Sequence, residues 1–338
     1  MKILLFRSGG IGDVLLSTPL IRVLKKQYPD ASISYLCGRW SAGVLENNPH
    51  VSEVIPVDDS VFFRFFSRLR LIPLIFKIRK KRFDMVFILD KSWHFGLLAR
   101  LFGIPVRVGF DRYGEGKWNT KNAQYTGESY EGDMYLQLAQ AIGISVPKKY
   151  SLEMFSSKDE RKNVERFLRE KGLAGKELIG IAPGGAVNPG QKALFKRWPL
   201  ESYRELISQL QKKKRVFLIF GGKNDEKVAE ALTHSGLIDC TGFSFGETYE
   251  LMKRCRVVVT HDSGPLHIAA ASGTKVIALF GPTPAKRFAP KNAVVIESDV
   301  KGCPCYDVYG RFGDRAGACM SRISISSVLQ AFLGIRFF

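Results

Sequence analysis

Short apolar runs alternate with amphipathic stretches along the whole chain, a pattern typical of strand–helix–strand units and parallel sheets. In the first half, the apolar runs predict strands at residues 2–6, 31–36, 54–57, 83–89 and 106–109. Helical spacing predicts one helix over 13–28 and another over 134–142. The first half is therefore expected to form a doubly wound α/β domain.

The second half repeats this pattern, with strands predicted at 178–182, 215–220 and 257–259 and a helix at 199–213. Apolar periodicity lapses over 147–157, where we place the linker. The predicted division is an N-terminal domain of residues 1–155, a C-terminal domain of 156–322, and a helical tail, 323–338, that packs back on the N-terminal domain. Two such domains can face each other across a cleft, with ligands outside the carboxyl ends of their strands.

Length and composition fit this division. A chain of 338 residues exceeds one ordinary core, and 45% hydrophobic with 25% charged residues is a globular composition. Lys and Arg exceed Asp and Glu by 51 to 32, a net charge of +19 that favours nucleic acid, an anionic membrane surface or a phosphorylated substrate without choosing among them. Because we find neither a signal peptide nor an apolar run of membrane-spanning length, we expect a cytoplasmic protein.

The six cysteines are expected to be reduced thiols, as is usual in a large cytosolic chain. Cys303, Cys305 and Cys319 offer three thiolates to a zinc ion, but the region has no histidine and C-x-C is not finger spacing. We favour ordinary thiols, and whether these three bind a metal stays open. No set of His, Asp and Glu has metal-site spacing, so we predict no metal site.

The most informative segment is 257–283, which predicts a buried strand, a polar turn, an Ala-rich helix, a second strand and a Gly-Pro turn. Asp262 and Ser263 occupy the expected helix N-cap, and Pro265 lies in the first turn, where proline is tolerated. A helix start at the carboxyl edge of a parallel sheet binds anions. His261 and His267 are either packed core residues or hydrogen-bond donors to a phosphate. The segment predicts a site for a phosphorylated ligand.

Residues 8–13 form the first glycine turn, with Gly10 and Gly12 allowing close approach of a ligand to the backbone. The turn matches neither a dinucleotide-binding nor a nucleoside-triphosphatase motif. Asp13 is the carboxylate at its mouth. From the residues alone, a helix-capping role for Asp13 is slightly favoured over a catalytic one.

Two further glycine turns follow predicted strands. In the first of them, Gly184 and Gly185 are followed by Lys196 and Arg197 at a predicted helix start. Two cations near a glycine turn suit a diphosphate, and a solvated basic helix end is an equally good interpretation. The turn at 221–225 carries polar groups that could reach a ribose or a base, although simple turn chemistry explains it nearly as well.

Residues 62–83 mix aromatic side chains with eight Lys and Arg and contain no acidic residue. Such a segment suits the surface of an anionic membrane leaflet. The alternative is a crossover helix with a core face and a solvated basic face, interrupted at Pro73. We favour peripheral contact with the inner-membrane surface.

In combination, these motifs resemble the heptosyltransferase family, the ADP-heptose:lipopolysaccharide glycosyltransferases. The resemblance is carried by 2–19, 183–185, 196–199, 261–267 and 280–283, and by Cys319, Met320, Ile323 and Val328 near the end. It implies a GT-B fold, with an N-terminal acceptor domain and a C-terminal nucleotide-sugar domain. It also implies inverting, metal-independent and cofactor-free transfer of a heptose or related sugar from an ADP-sugar to the lipopolysaccharide inner core or a related glycan.

By the same resemblance, Asp13 is the general base, and Gly10 and Gly12 belong to the acceptor-side turn. The donor-binding residues that it implies are Gly184, Gly185, Lys196, Arg197, Asp262, Ser263, Gly264, Pro265 and His267. Lys223 stands where relatives often carry other residues, which leaves the nucleotide preference open. The alternatives are a transferase of this fold using another sugar nucleotide and a basic nucleic-acid-binding protein. No nucleic-acid partner is expected, since no binding module is recognisable and the basic residues are scattered.

Overall fold

The computed structural model describes residues 1–58, 62, 71–188, 191–211, 215–233 and 237–335. The chain forms two compact units. The first consists of Met1–Glu153 with Asn188–Gln191, and the second of Met154–Val187 with Lys192–Phe338.

The first unit is a parallel sheet flanked by helices. Among its described residues the strands are β1 (Lys2–Arg7), β2 (Ser32–Gly38), β3 (Glu53–Val57), β4 (Met85–Ile88), β5 (Val106–Asp111) and β6 (Lys121–Gln124), in the order β3-β2-β1-β4-β5-β6. Its helices are α1 (Ile11–Leu16), α2 (Thr18–Gln27), α3 (Leu71–Lys81), α4 (Trp93–Leu101) and α5 (Glu131–Gln140). Ile3, Leu4, Leu5 and Phe6 of β1 are all fully buried, because a parallel strand covered on both faces has no solvent side.

The single helix predicted over 13–28 is wrong: α1 and α2 are separate helices that meet at Ser17. The hydroxyls of Ser17 and Thr18 each donate to a carbonyl of the preceding turn, 2.7 Å away in both cases. Pro19 cannot donate a backbone hydrogen bond. The side-chain hydrogen bonds of Ser17 and Thr18 compete with the helical ones, and Pro19 lacks a backbone donor. Together they terminate α1, and α2 begins at Thr18.

The second unit repeats the strand order of the first. Its strands are β7 (Glu177–Ala182), β10 (Arg215–Ile219), β11 (Ile238–Asp239), β12 (Val257–His261), β13 (Lys275–Phe280) and β14 (Ala293–Glu297), and the two-residue strands β8 (Val187–Asn188) and β9 (Gln191–Lys192) each have one residue in either unit. Within the described residues the main sheet has the order β11-β10-β7-β12-β13-β14, and β8 pairs with β9. Its helices are α6 (Lys158–Glu170), α7 (Leu200–Leu210), α8 (Glu226–Thr233), α9 (Phe245–Arg254), α10 (Gly264–Ala271), α11 (Ala285–Phe288), α12 (Ala316–Cys319) and α13 (Ile325–Gly334).

The tail helix α13 packs on the second unit, where the sequence pattern predicts packing on the N-terminal domain. Val328 and Phe332 are buried in the same core cluster as Trp198. The indole Nε1 of Trp198 donates to the carbonyl of Ile323 at 3.0 Å, just before the helix. The apolar face of α13 is thus part of this unit's core, which a helical pattern alone cannot assign to one domain.

The prediction of reduced thiols is wrong for one pair, because Cys303 and Cys319 form a disulfide. The loop after β14 folds back on the turn after β13, where Cys305 N donates to the carbonyl of Pro282 at 2.9 Å. This return brings the two Cα atoms to 6.0 Å, within disulfide range. Sequence spacing does not reveal that proximity. Cys240, Cys255 and Cys305 are free thiols, and Cys37 is buried.

In the described part of the chain, no single helix is long and apolar enough to cross a bilayer. The bent helix pair Ala316–Arg322 and Ile325–Gly334 meets the length and composition required of a membrane span, and nothing further supports such a role. The basic aromatic segment predicted over 62–83 falls partly outside the described residues, which there comprise 62 and 71–83.

Candidate functional site

In each unit, the candidate residues lie where the strand order reverses. In the first unit, the reversal lies between β1 and β4, which pair in parallel from Ile3↔Met85 to Phe6↔Ile88. The loops that follow these two strands therefore leave the same edge of the sheet. Crevices at such reversals are the usual ligand sites of doubly wound sheets.

Arg7, the last residue of β1, is the centre of the charge network at this edge. Its guanidinium NH2 lies 2.8 Å from Asp13 Oδ1, its NH1 contacts Asp90, and its Nε donates to the Tyr135 hydroxyl at 3.2 Å. Asp90 also accepts from the backbone N–H of Ser8 at 2.7 Å and from the Ser8 hydroxyl at 3.1 Å. One arginine thus holds two carboxylates and the start of the glycine turn.

Asp13 is positioned by the start of α1. Gly10 is the N-cap, and its backbone N–H donates to Asp13 Oδ2 at 3.2 Å, so Asp13 supports the helix start as a capping residue would. Gly9 has φ +115°, which allows the turn to bend here. The Asp13 side chain keeps 28% exposure against 8% for Asp90, so it is the more accessible carboxylate of the two.

The pKa values of Asp13 and Asp90 are shifted in opposite directions. Burial opposes ionisation of Asp13, but the charges of Arg7 and Lys91 and the Gly10 N–H outweigh it and hold the pKa of Asp13 below its ordinary value. For Asp90, burial outweighs the Arg7 charge and raises its pKa. Asp13 is therefore a partly exposed carboxylate that is ionised at neutral pH.

Lys91 adds a second cation beside this pair. Its ammonium lies 3.0 Å from Glu131 and within 5.0 to 5.8 Å of the ring centroids of Phe110, Tyr125 and Tyr135. Arg7, Asp90 and Lys91 were not predicted from the sequence as site residues. A signal was present, since charged residues that directly end buried strands lie at the edge where ligands bind.

In the second unit, the reversal lies between β7 and β12, which pair in parallel from Val257↔Ile179 to Thr260↔Ala182. The turn containing Gly184 and Gly185 follows β7, and Asp262 follows β12. Lys196 ends a short 3₁₀ helix, Leu194–Lys196, and its Nζ lies 2.6 Å from Asp262 Oδ2. The side chains of Lys196 and Asp262 are 16% and 11% exposed, so the ion pair is only weakly screened by solvent.

The helix start after Asp262 has the predicted form. Ser263 is the N-cap of α10, Gly264 is its first residue, and Pro265 lies in the first turn. The Ser263 hydroxyl donates to the carbonyl of His261 at 3.1 Å rather than capping the helix. His267 is buried on α10, where its charge is one of the influences that lower the pKa of Asp262.

The electrostatics of this turn are dominated by Lys196. Burial opposes ionisation of Asp262, but the Lys196 charge and hydrogen bond outweigh it and lower its pKa. Burial, with the Lys196 charge, lowers the pKa of His261 to about 3, so its ring is neutral at physiological pH. The turn therefore presents one oriented ammonium group and a helix N-terminus.

Arg197, expected beside Lys196 on a diphosphate, is engaged within the protein. Its guanidinium donates to the carbonyl of Gly185 and to Asp225 Oδ1, at 2.8 to 3.0 Å. Asp225 lies in the third glycine turn and was not predicted as a site residue. Within the described ranges, no three His, Cys, Asp or Glu side chains are grouped so that they could hold a metal ion.

These features define a two-unit α/β protein with the same doubly wound strand order in both units and, in the second unit, a cation beside a helix start that suits an anionic ligand. The sequence model of glycosyltransferase family 9 (heptosyltransferase) matches residues 72–308, well over half of the chain. The chain belongs to this family and is a glycosyltransferase.

Curated and solved relatives agree with the assignment. The chain is 28% identical to lipopolysaccharide heptosyltransferase 2 of Escherichia coli K12, over 84% of this chain and 83% of that protein. The crystal structure of a family 9 glycosyl transferase from Veillonella parvula superposes with a TM-score of 0.80 at 24% identity, covering 98% and 95% of the two chains. The E. coli ADP-heptose LPS heptosyltransferase II structure gives 0.76 at 24% identity, covering 98% of both. The predicted GT-B fold is confirmed.

Proposed function

We propose that this protein transfers a heptose from ADP-heptose to a hydroxyl of the lipopolysaccharide inner core, with inversion at the anomeric carbon. The substrate classes come from the relatives, one of which is a lipopolysaccharide heptosyltransferase and another an ADP-heptose LPS heptosyltransferase. The residues of the two sheet edges supply the chemistry that such a transfer needs.

The observation that carries the donor side is the position of Lys196. Its ammonium is held by Asp262 next to the start of α10, where backbone N–H groups and the helix dipole favour an anion. Lys196 would donate a charge-assisted hydrogen bond to a diphosphate placed here. Asp262 itself cannot bind a phosphate oxygen, because both are anionic, and we assign it the role of orienting Lys196. As the bond to the sugar breaks, the charge that develops on the leaving ADP is stabilised by the same groups.

Asp13 is the proposed general base. In the transfer, the acceptor oxygen forms a bond to the anomeric carbon, its proton passes to Asp13, and the bond to the diphosphate breaks. The Gly10 and Arg7 contacts each use one Asp13 oxygen, which fixes the carboxylate plane while leaving a lone pair for the hydroxyl. A lowered pKa makes Asp13 a weak base. A weak base suffices where the proton leaves late, after the anomeric centre has become strongly cationic and has acidified the hydroxyl.

The test is a transfer assay with purified protein. ADP release from ADP-heptose is measured with and without heptose-deficient lipopolysaccharide, and the product is examined for a new heptose in the inverted anomeric configuration. UDP- and GDP-sugars serve as competitors, which also answers the question raised by Lys223. Release that depends on both ADP-heptose and acceptor supports the proposal. Faster transfer from a UDP- or GDP-sugar would refute the donor assignment.

We further propose that the enzyme works at the cytoplasmic face of the inner membrane through a patch on α3, formed by Ile72, Phe76, Lys77 and Lys80. Ile72 and Phe76 are 48% and 61% exposed, although both are large and apolar. Ile72, Phe76 and Lys80 follow one another at four-residue spacing and so share a helix face. Pro73 lies near the start of the described helix, where it does not interrupt the face. Apolar side chains beside lysines suit an anionic leaflet.

The membrane patch is tested by sedimentation with vesicles containing anionic lipid. We expect Phe76→Ser together with Lys77→Gln and Lys80→Gln to reduce binding several-fold. Lys158→Gln with Lys162→Gln, which removes the same charge from exposed positions on α6, is the control. Equal binding by the patch variant and the control variant would mean that only overall charge matters, and that α3 is an ordinary crossover helix.

A further inference from the structure

We propose that Asp225 and Arg197 form a latch that holds the Gly184-Gly185 turn in its donor-binding shape, with Arg197 acting as the counter-ion of Asp225 rather than as a ligand of the diphosphate. The inference rests on the proposed function, because it concerns the donor side of that reaction. It assigns both residues a positioning role.

Asp225 ties together the turns that follow two neighbouring strands, β7 and β10. Its Oδ1 accepts from the backbone N–H of Gly185 at 2.9 Å, and its Oδ2 accepts from the N–H of Gly222 at 3.0 Å. Its side chain is 8% exposed. A carboxylate that accepts one backbone hydrogen bond on each oxygen fixes the separation of the two turns.

Arg197 closes the latch from the other side. Its Nε and NH2 both donate to the carbonyl of Gly185, at 3.0 and 2.8 Å, and NH2 also donates to Asp225 Oδ1 at 2.9 Å. Gly185 is thus held at its N–H by the carboxylate and at its carbonyl by the guanidinium. Both peptide planes around this residue are set by the latch. The planar fork of arginine is needed for this, since a lysine presents a single point charge.

The two turns have glycines at positions where a side chain would collide with Asp225 or Ser263. A Cβ at Gly184 would collide with the carboxyl carbon of Asp225, and a Cβ at Gly221 would lie 2.9 Å from the Cβ of Asp225. Gly185 has φ +80°, and a Cβ there would meet the Cβ of Ser263, the N-cap of α10, at 3.1 Å. The turn is therefore packed between Asp225 and the helix start that receives the phosphates.

Charge explains why the two residues occur together. Asp225 is a buried carboxylate directly behind a turn that must accept an anion, and an unpaired carboxylate there would repel the diphosphate. Arg197 neutralises it. If this is the main role of Arg197, its charge matters to the donor only when residue 225 is an aspartate.

A double-mutant cycle separates this role from direct phosphate binding. ADP affinity is measured by calorimetry for wild type, Arg197→Gln, Asp225→Asn and the double variant. We expect Arg197→Gln to weaken ADP binding about 30-fold or more, Asp225→Asn about tenfold, and the double variant no more than Asp225→Asn alone. Equal losses from Arg197→Gln in both backgrounds would show that Arg197 acts on ADP binding independently of Asp225, and would overturn the latch.

Controls distinguish the latch from general damage and from failure of the proposed function. Glu201→Gln with Arg204→Gln removes an exposed ion pair of α7 and should leave ADP affinity unchanged. In the transfer assay, the latch variants should raise the KM for the donor and leave that for the acceptor unaltered. If Arg197→Gln does not fold, Arg197→Lys completes the cycle with the same expected non-additivity. A wild-type protein that binds ADP but gives an additive cycle refutes the latch alone, whereas one that binds no ADP refutes the proposed function as well.

Discussion

Replacing Lys196 by Met should damage both stability and donor binding, and the two losses can be separated. The substitution removes the cation that lies 2.6 Å from Asp262 and leaves a carboxylate with 11% exposure unpaired. Breaking a fully buried pair in this way costs about 3 to 5 kcal/mol, and the residual exposure of both partners places our expectation near 3 kcal/mol.

The sign of the pH dependence follows from Asp262. With Lys196 present, the pKa of Asp262 is lowered, so the pair stabilises the fold above the ordinary aspartate pKa and loses this contribution as the pH falls through the folded-state pKa. Without Lys196, the burial effect dominates and the pKa rises above the unfolded value. The deficit of Lys196→Met should therefore be full at neutral pH and shrink as the carboxyl becomes protonated towards about pH 4.

The assay is urea unfolding of wild type, Lys196→Met and Lys196→Met/Asp262→Asn at pH 7 and pH 5, with ADP binding measured at pH 7. The double variant should recover most of the stability, because no buried charge is left unpaired, yet it should not recover ADP binding. Arg311→Met, which removes one member of an exposed pair, is the control and should cost at most about 1 kcal/mol. A pH-independent deficit, or a double variant no more stable than the single, would show that Lys196 does not stabilise the fold as the counter-ion of Asp262.

Three further substitutions test other parts of the structure. Cys319→Ser should lower the unfolding free energy by about 3 kcal/mol, as expected for a loop of this length, and reductant should then leave the melting temperature unchanged although it lowers that of wild type. Trp198→Phe should cost about 1 to 3 kcal/mol in urea unfolding, since the carbonyl of Ile323 loses its buried donor. Arg7→Gln leaves two neighbouring carboxylates without their shared cation, so its melting temperature should fall at pH 7 and recover on acidification; a deficit that is constant with pH would contradict the charge network.

Much of the fold follows from the hydrophobic pattern, because both sheets are built on apolar runs such as Ile3 to Phe6 that are buried on both faces. The strands that the pattern misses are short or lie at sheet edges. β6 is Lys-Asn-Ala-Gln and β11 has two residues, so neither carries an apolar run, whereas β14 does have one, Ala-Val-Val-Ile, but is partly exposed at the edge of its sheet. Their pairing is decided by neighbouring strands rather than by their own composition.

In the candidate site, some residues could be predicted from local motifs, whereas others come together only through the fold. Asp13, Lys196 and Asp262 stand in local motifs, and the structure places them at the sheet edges where such motifs belong. Arg197 and Asp225 are different, since they are 28 residues apart and their ion pair exists only because β7 and β10 lie side by side. A sequence pattern gives the residue types but does not show which residues meet, so it could not predict the contact between Arg197 and Asp225.

The most direct test of the account is Asp13→Asn in the transfer assay, combined with calorimetry of ADP binding. Asn keeps the size of the side chain and can still accept from the Gly10 N–H, but it cannot take the proton of the acceptor hydroxyl. We expect turnover to fall at least about 1000-fold and ADP affinity to stay close to wild type, while the melting temperature falls modestly, because Arg7 loses one carboxylate partner and keeps Asp90. Asp30→Asn, the same change at an exposed turn, should leave all three unaltered. Turnover near the wild-type rate in Asp13→Asn would contradict the assignment of the catalytic base.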